Sequence, residues 1–351
     1  MHINKLKYQD KTLTKPFDIS EAFNNYFTNI GKNLANKFEE QNHNNLSHDR
    51  FLNIPYVNPI QLPYVTSEEI INIIDSLETK KSSGHDNIPV NFLKLTRETV
   101  SKSLAKIFNL SITMGVYPSL LKIAKVTPIF KKGSHLLPDN YRPISVLGHI
   151  NKIYEKVLYS RLSTHFNNNN LLYKYQYGFR EGHSTTQALV ELTDSLKNTI
   201  DNGNYACGIF IDLTKAFDTV NHNILIDKLK KYGILDNAID LLKSYLDDRM
   251  QYVEINKTKS SLSKISCGVP QGSVLGPLLF LIYIIDLPNC CLLRKVCIFA
   301  DDTVIFFECQ NQNQLSEIIE DILKNLNDWF VANKLTMNVE KSKFCTIIYQ
   351  E

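Results

Sequence analysis

Val296-Cys297-Ile298-Phe299-Ala300-Asp301-Asp302-Thr303-Val304-Ile305-Phe306-Phe307 sets two adjacent carboxylates between two apolar runs. Apolar flanks of this length predict β-strands, with the aspartate pair at the tip of a tight hairpin. Like charges side by side in an apolar setting repel and are costly to desolvate. A cation between them removes that cost. Alone, an Asp-Asp step between strands reads as an ordinary solvated turn.

A second apolar run, Tyr205-Ala206-Cys207-Gly208-Ile209-Phe210-Ile211-Asp212-Leu213, also delivers an aspartate at its end. The stretch after it, Phe217 to Lys231, has apolar residues at Val220, Ile224, Leu225 and Leu229 and predicts a helix. Asp212 could simply cap that helix. Two strands that each deliver aspartate also suit a divalent-metal site, because Mg²⁺ takes hard oxygen ligands and keeps water or phosphate as its other partners. Two such ions, about 3.5–4 Å apart, would stabilise the attacking and leaving oxygens of a phosphoryl transfer.

Between the two aspartate sites lies Gly268-Val269-Pro270-Gln271-Gly272-Ser273-Val274-Leu275-Gly276-Pro277. Leu278 to Leu287 follows as a buried helix candidate. A Gly/Pro-rich loop lets backbone approach a ligand closely, and Gln271 carries both a donor and an acceptor for a base or sugar. The loop is longer and more specific than a simple turn needs.

These blocks in this order, Phe210-Ile211-Asp212-Leu213-Thr214-Lys215-Ala216-Phe217-Asp218, Gly268 to Ser273 and Phe299-Ala300-Asp301-Asp302, resemble reverse transcriptases. Within them the chain resembles the non-LTR, LINE-type, jockey-like retrotransposon branch. Asn140-Tyr141-Arg142-Pro143-Ile144-Ser145 is similar to the fingers motif of that branch. Gln176-Tyr177-Gly178-Phe179-Arg180 with His183-Ser184-Thr185 is similar to its next block. Lys80 to Pro89 resembles its N-terminal extension motif, and Trp329-Phe330 through Asn338-Val339-Glu340-Lys341-Ser342 its late palm motif. The resemblance covers roughly residues 60 to 349.

The resemblance implies an RNA-directed DNA polymerase that adds dNTPs to a DNA primer on an RNA template. Asp212 and Asp301 would ligate two Mg²⁺ ions, with Mn²⁺ as a substitute. Leu213 would add its backbone carbonyl, and Asp302 would be structural or outer-shell. Phe217 would crowd a ribose 2′-hydroxyl; the competing reading makes it a core anchor of its helix. Arg142 and either Lys131 or Lys132 would contact the triphosphate, Arg through its fork. Gln271 and Gly272 would line the nucleotide and template pocket. Lys341 is either a proton donor to pyrophosphate or a surface lysine. His183 and His222 read as structural. Relatives carry a thumb and an upstream endonuclease, so the chain is expected to stop before the thumb, with the endonuclease elsewhere. A cytoplasmic and nuclear location is implied by the resemblance. Two other readings compete: an inactive, truncated element remnant that at most binds nucleic acid, and a two-carboxylate hydrolase, which leaves the Gln271-Gly272 loop unexplained.

The 351 residues suffice for one large core or two subdomains. Net charge is only +3, but Leu121 to Ser160 holds seven Lys/Arg against two Asp/Glu, a local excess of five. Phosphate-binding surfaces are built this way, as are solvated lysine faces. The seven cysteines fall mostly in apolar runs, which predicts reduced core residues rather than disulfides. No Cys/His spacing suggests zinc, no signal peptide is visible, and Val274 to Leu287 is short of the roughly 20 residues a membrane span needs.

Helices and strands alternate without a βαβ rhythm, which predicts an α+β class. The resemblance makes it a right-hand polymerase fold with helical and β-hairpin fingers, an antiparallel-sheet palm and the thumb largely absent. The expected organisation is a helical extension and linker over 1–60, fingers over 61–205 and palm over 206–351, with finger and palm segments interleaved. Helices are expected over Ser67–Leu77, Val100–Met114, Ile150–Phe166, Thr185–Ile200, Ile234–Leu246 and Leu315–Trp329. Strands are expected over Ala124–Phe130 and Lys343–Tyr349, with Tyr252–Ile255 pairing Ser263–Ser266.

Overall fold

The computed structural model describes residues 3–40, 46–53, 57–79, 82–291 and 294–347. A hairpin, β1 (Leu6–Tyr8) and β2 (Lys11–Leu13), leads into α1 (Pro16–Glu40). Helices α2 (Ser67–Asp75), α3 (Val90–Leu95) and α4 (Arg97–Met114) precede strands β3 (Ile123–Phe130) and β4 (Tyr141–Val146). Then come α5 (His149–Asn168), α6 (Thr185–Asp201), β5 (Tyr205–Ile211), α7 (His222–Lys231) and α8 (Asp236–Leu246). Strands β6 (Arg249–Ile255), β7 (Thr258–Lys259) and β8 (Ser263–Ile265) lead to α9 (Leu275–Tyr283). The last elements are β9 (Lys295–Phe299), β10 (Asp302–Cys309), α10 (Gln312–Ala332) and β11 (Lys343–Ile347).

Two sheets organise these elements. One is antiparallel throughout, in the order β11-β5-β10-β9. The other runs β4-β3-β6-β7 with β8 on β6, and its β3–β6 pair is parallel. Residues 249–265 thus join the sheet begun by residues 123–146, although residues 205–211 between them belong to the other sheet. The larger core joins the first sheet to α2, α4, α5 and α7 to α10. A smaller core lies between α1 and the second sheet.

Local signals account for most boundaries. Thr66 Oγ accepts the Glu69 N–H and starts α2, with Glu68 and Glu69 at the positive end of the helix dipole. Gly115 ends α4 at φ 64°, a conformation that costs a glycine nothing. Ser184 and Gln187 form a reciprocal capping box on α6. Phe23, Phe27 and Ile30 recur at helical spacing and are buried. Leu104, Phe108 and Ile112 do the same on α4.

Several boundaries differ from expectation. The hairpin before α1 was not anticipated, because its strands are only three residues long. The helix expected from Phe217 starts at His222, where the Asn221 side chain accepts the Ile224 N–H; Ala216–Asp218 is a separate 3₁₀ turn. The buried helix expected over Leu278–Leu287 covers Leu275–Tyr283, since Ser273 Oγ accepts the Gly276 N–H at 2.9 Å and fixes an earlier start. Arg249–Gln251, not Tyr252–Ile255, pairs with Ser263–Ile265, because β7 takes Glu254 and Ile255. Lys80, Lys81, Ile348 and Tyr349 lie outside the described residues. All seven cysteines are free, five of them buried, as the apolar runs predicted.

A fully buried ion pair ties three helices behind the first sheet. Lys228 Nζ of α7 donates to Asp286 Oδ1 at 2.7 Å and to the Tyr283 carbonyl at 2.6 Å. Trp329 Nε1 of α10 donates to the same Oδ1 at 3.1 Å. Both charged side chains have no exposed surface, so their desolvation is offset only while each keeps the other. Lys228→Met is expected to cost about 3–5 kcal/mol of unfolding free energy by stranding the carboxylate. The double variant Lys228→Met/Asp286→Leu is expected to recover most of that loss. Urea unfolding of the double-mutant cycle checks both outcomes; additive losses would overturn the coupling.

Candidate active site

β10 lies between β9 and β5, and in this register Thr303 faces Ile211 while Asp302 faces Phe299. One step further along β5 brings Asp212 level with Asp302. Level residues on neighbouring antiparallel strands share a face, with Cβ atoms roughly 4.5–5.5 Å apart. Ala300 and Asp301 form the turn between β9 and β10, so Asp301 is at its apex and Asp302 opens the strand.

Ala300 adopts φ 58°, which costs a non-glycine residue roughly 1–2 kcal/mol. The surrounding contacts over-determine it. Gln176 Oε1 accepts the N–H groups of Gly178 at 2.9 Å and Ala300 at 3.3 Å. Tyr177 N–H donates to the Ile298 carbonyl at 2.8 Å, and Ile298 N–H to the Tyr175 carbonyl at 2.9 Å. A Cβ on Gly178 would stand 2.2 Å from the Ala300 nitrogen, so only glycine lets this segment lie against the turn.

Asp212 is held from the other side. Its carbonyl accepts the Asn338 N–H at 2.8 Å, and its N–H donates to Ser342 Oγ at 3.3 Å. Thr214 N–H donates to the Thr336 carbonyl at 2.8 Å. Leu213 and Met337 lie between those bonds as a bridge pair, which directs the Leu213 carbonyl away from residues 336–338. Lys341 Nζ donates to Asp212 Oδ2 at 2.9 Å.

The local charges are mutually perturbing. The Asp302 carboxyl is raised above its ordinary value by burial, then by the charges of Asp301 and Asp212, against the pull of Lys131 and Lys341. The Lys131 ammonium is lowered by burial, then by Arg142 and Lys341, with Asp212 opposing. Lys131, Lys132 and Arg142 are exposed at the connecting end of the β3–β4 hairpin, where Arg142 pairs Ile129. The rest of the basic segment is less free than its composition suggests. Lys122 is buried against Ser244 and Asp247, Lys125 pairs with Glu254, and Lys156 donates to Ser76. At the hairpin end Lys131, Lys132 and Arg142 are exposed together, whereas Lys122, Lys125 and Lys156 have partners within the protein.

The Gly/Pro loop is tied to both flanks. Ser145 N–H donates to the Gln271 carbonyl at 2.7 Å, and a Cβ on Gly272 would meet the Ser145 carbonyl at 2.9 Å. The Gln271 amide donates to both Asp218 oxygens at 2.9 Å. Burial pushes the Asp218 carboxyl up from about 3.8 to about 6, although Gln271 and Lys215 pull it down. Glu155, fully buried on α5, accepts the Val274 N–H at 2.6 Å and the Tyr245 hydroxyl at 2.8 Å. His222 bonds the Gly268 carbonyl through Nε2, and His183 bonds the Glu181 carbonyl through Nδ1. Phe217 is not on a regular helix; its ring stacks on buried Phe280 at 4.7 Å and meets Phe179 edge-on at 5.8 Å.

The expected site residues therefore fall into three groups. Asp212, Leu213, Asp301, Asp302 and Lys341 converge at one end of the first sheet. Lys131, Lys132 and Arg142 reach toward that end from the other sheet. Gln271, Gly272 and Phe217 form a neighbouring wall, in which the Gln271 amide is engaged with Asp218. Gln176, Gly178, Ser342 and Glu155 were missed as supports. Gln176, Gly178 and Ser342 lay in the family-like blocks already quoted, and Glu155 carried no sequence signal. Three carboxylates that repel one another at a strand end, with oxygen donors only, fit a hard divalent cation. Among the described residues, no group of three or more His, Cys, Asp or Glu side chains already stands in a metal-ligand cluster.

A protein-family model described as "Reverse transcriptase (RNA-dependent DNA polymerase)" matches residues 129–350. The probable RNA-directed DNA polymerase from transposon BS of Drosophila melanogaster is 33% identical over 305 residues, 83% of this chain and 33% of that protein. The RNA-directed DNA polymerase from mobile element jockey of the same fly is 31% identical over 301 residues, 84% of this chain and 33% of the relative. The Drosophila funebris jockey protein is 28% identical over 330 residues, 92% and 36% of the two chains. The chain spans about a third of the length of these relatives.

Because the folded Asp218 carboxyl binds its proton more tightly than the unfolded one, it contributes stability that falls as pH rises from about 4 to about 6 and then levels. The whole effect is at most about 3 kcal/mol. Asp218→Asn is expected to flatten that part of the stability curve, and Gln271→Leu to raise the carboxyl further. Carbon-detected NMR titration of Asp218 checks both; an ordinary value in the unaltered protein would refute the assignment.

Proposed function

Because the chain belongs to the reverse transcriptase family, we propose that it is the polymerase core of a non-LTR retrotransposon RNA-directed DNA polymerase. The reaction is transfer of a nucleotide from a dNTP to a primer 3′-hydroxyl on an RNA template. The observation that carries this reading is the β5–β10 register, which brings Asp212 level with Asp302 beside the Asp301 turn. In this reading the four-stranded sheet is the palm, and the β3–β4 hairpin with its helices is the fingers.

Asp212 and Asp301, together with the Leu213 carbonyl, would hold two Mg²⁺ ions, for which Mn²⁺ could substitute. When bound, such ions favour the deprotonated primer hydroxyl and neutralise charge on the leaving pyrophosphate. Asp302 adds negative charge beside them. Arg142 and one of Lys131 and Lys132 bind the triphosphate from the exposed connecting end of the β3–β4 hairpin. Lys341, on the rim of the carboxylates, is the candidate proton donor to pyrophosphate. Gln271 and Gly272 shape the wall next to the base, and Phe217 excludes a 2′-hydroxyl. Among the described residues no helix is long and apolar enough to cross a membrane.

Primer extension with Mg²⁺ or Mn²⁺ on an RNA template is the direct test. Asp301→Asn is expected to lower incorporation by at least about a hundredfold, the scale of losing a group that stabilises transition-state charge. Template binding should stay within about twofold; if it collapses as well, the aspartate is structural. Removing both Lys131 and Lys132 is expected to raise the KM for dNTP at least about tenfold, the scale of losing a hydrogen bond to a charged group. An unchanged KM would refute the triphosphate contacts.

A further inference from the structure

Phe179 is an unusual place for an aromatic. It is 47% exposed and holds φ 56°, a conformation that favours glycine. Strain at a non-glycine residue persists only where its surroundings enforce it. Here they do. Arg180 Nη1, next in the chain, donates to the carbonyls of Tyr173 at 2.9 Å and Gln176 at 3.3 Å. Gly178, on the other side, is pinned against Ala300 and bonded to Gln176. The ring is thus aimed by the same segment that supports the Asp301 turn.

Its target is Phe217. One face of that ring lies on Phe280, which is fully buried. The Phe217 backbone is fixed by the Val269 N–H, which donates to its carbonyl at 2.8 Å. Side-chain rotation remains open on the partly exposed side, and there Phe179 meets it at an interplanar angle of 88°. Edge-to-face pairs of this kind restrict ring position beyond what burial alone does.

We propose that Phe179 is a positioning residue for Phe217, holding its ring in the place from which it discriminates between deoxyribonucleotides and ribonucleotides. This inference rests on the polymerase reading and on Phe217 as the excluding ring. Phe179 itself need not touch the nucleotide. Sugar selection is then coupled to the support of the aspartate turn, since one segment sets both.

The test measures kcat/KM for a dNTP and the matching rNTP with the full chain, a DNA primer, an RNA template and Mn²⁺. Phe217→Ala is the reference that should lose discrimination most. Phe179→Ala is expected to lower the dNTP-to-rNTP ratio about threefold to tenfold, the range one aromatic contact supports. Phe179→Tyr, which keeps the ring edge, is expected to restore it. If Phe217→Ala reduces the ratio while Phe179→Ala leaves it unchanged, the positioning role is wrong and the polymerase reading stands. An equal fall in both efficiencies would show that Phe179 serves substrate binding as a whole and would also overturn it. If the unaltered chain incorporates nothing, the polymerase reading fails and the inference falls with it.

Discussion

Register between β5 and β10 is the constraint on which the site depends. Side chains alternate faces along a strand, so a slip of one residue would send Asp212 and Asp302 to opposite sides of the sheet. Their shared face is enforced by the apolar pattern. Ile209, Ile211, Ile305 and Phe307 are all buried on one side, and a slip would expose them together. At roughly 1.5–3 kcal/mol for each large apolar side chain, that loss exceeds the repulsion between two partly solvated carboxylates. Hydrophobic burial therefore holds like charges together, and the electrostatic cost remains as a property of the site.

Supports for the aspartates come from segments far apart in the chain, and each adds a polar contact rather than bulk. Gln176 and Gly178 shape the Asp301 turn, and Asn338 and Ser342 hold the Asp212 backbone. Glu155 carries the loop behind Gln271 from a buried position on α5. Tyr117 donates to Asn151, and Asn151 to the same Glu155 oxygen that accepts Tyr245, so the carboxylate is hydrogen-bonded on both oxygens. A buried charge with all these donors is tolerable; one with fewer would not be. Rigid placement of the site thus comes from satisfied polar groups inside an apolar frame.

α1 shows how closely a segment outside the matched family region can be built into this frame. A Cβ on Gly31 would stand 2.3 Å from the Asp218 carbonyl oxygen. Tyr26 donates to Asp139 at 2.5 Å, and Lys215 pairs with Asp139 at 3.0 Å. That cluster joins α1, the loop before β4 and the turn after Asp212. Burial and the Asp139 carboxylate push the Tyr26 hydroxyl above its ordinary value, so it keeps the proton it donates to Asp139.

The strands ending at Asp212 and Asp301, the capped helices and the reduced cysteines were legible in the sequence because each follows from local pattern: apolar period, capping side chains, glycine at a left-handed C-cap. The ordered aspartate and Pro-Gln-Gly blocks pointed to the family by resemblance, which local pattern alone does not give. Other features depended on meetings between distant residues. Lys341 read either as a proton donor or as a surface lysine; the fold leaves it exposed and brings its ammonium to Asp212. Gln271 read as a free ligand-facing amide until Asp218 engaged it, and the basic segment read as one surface until three of its lysines found internal partners. The sequence by itself determined which groups exist and which strands and helices present them, because those choices rest on neighbours in the chain. Only the tertiary structure decided which charges face one another, which are already paired and which ring bears on Phe217. Those outcomes depend on packing and desolvation across long sequence separations, which local pattern does not encode.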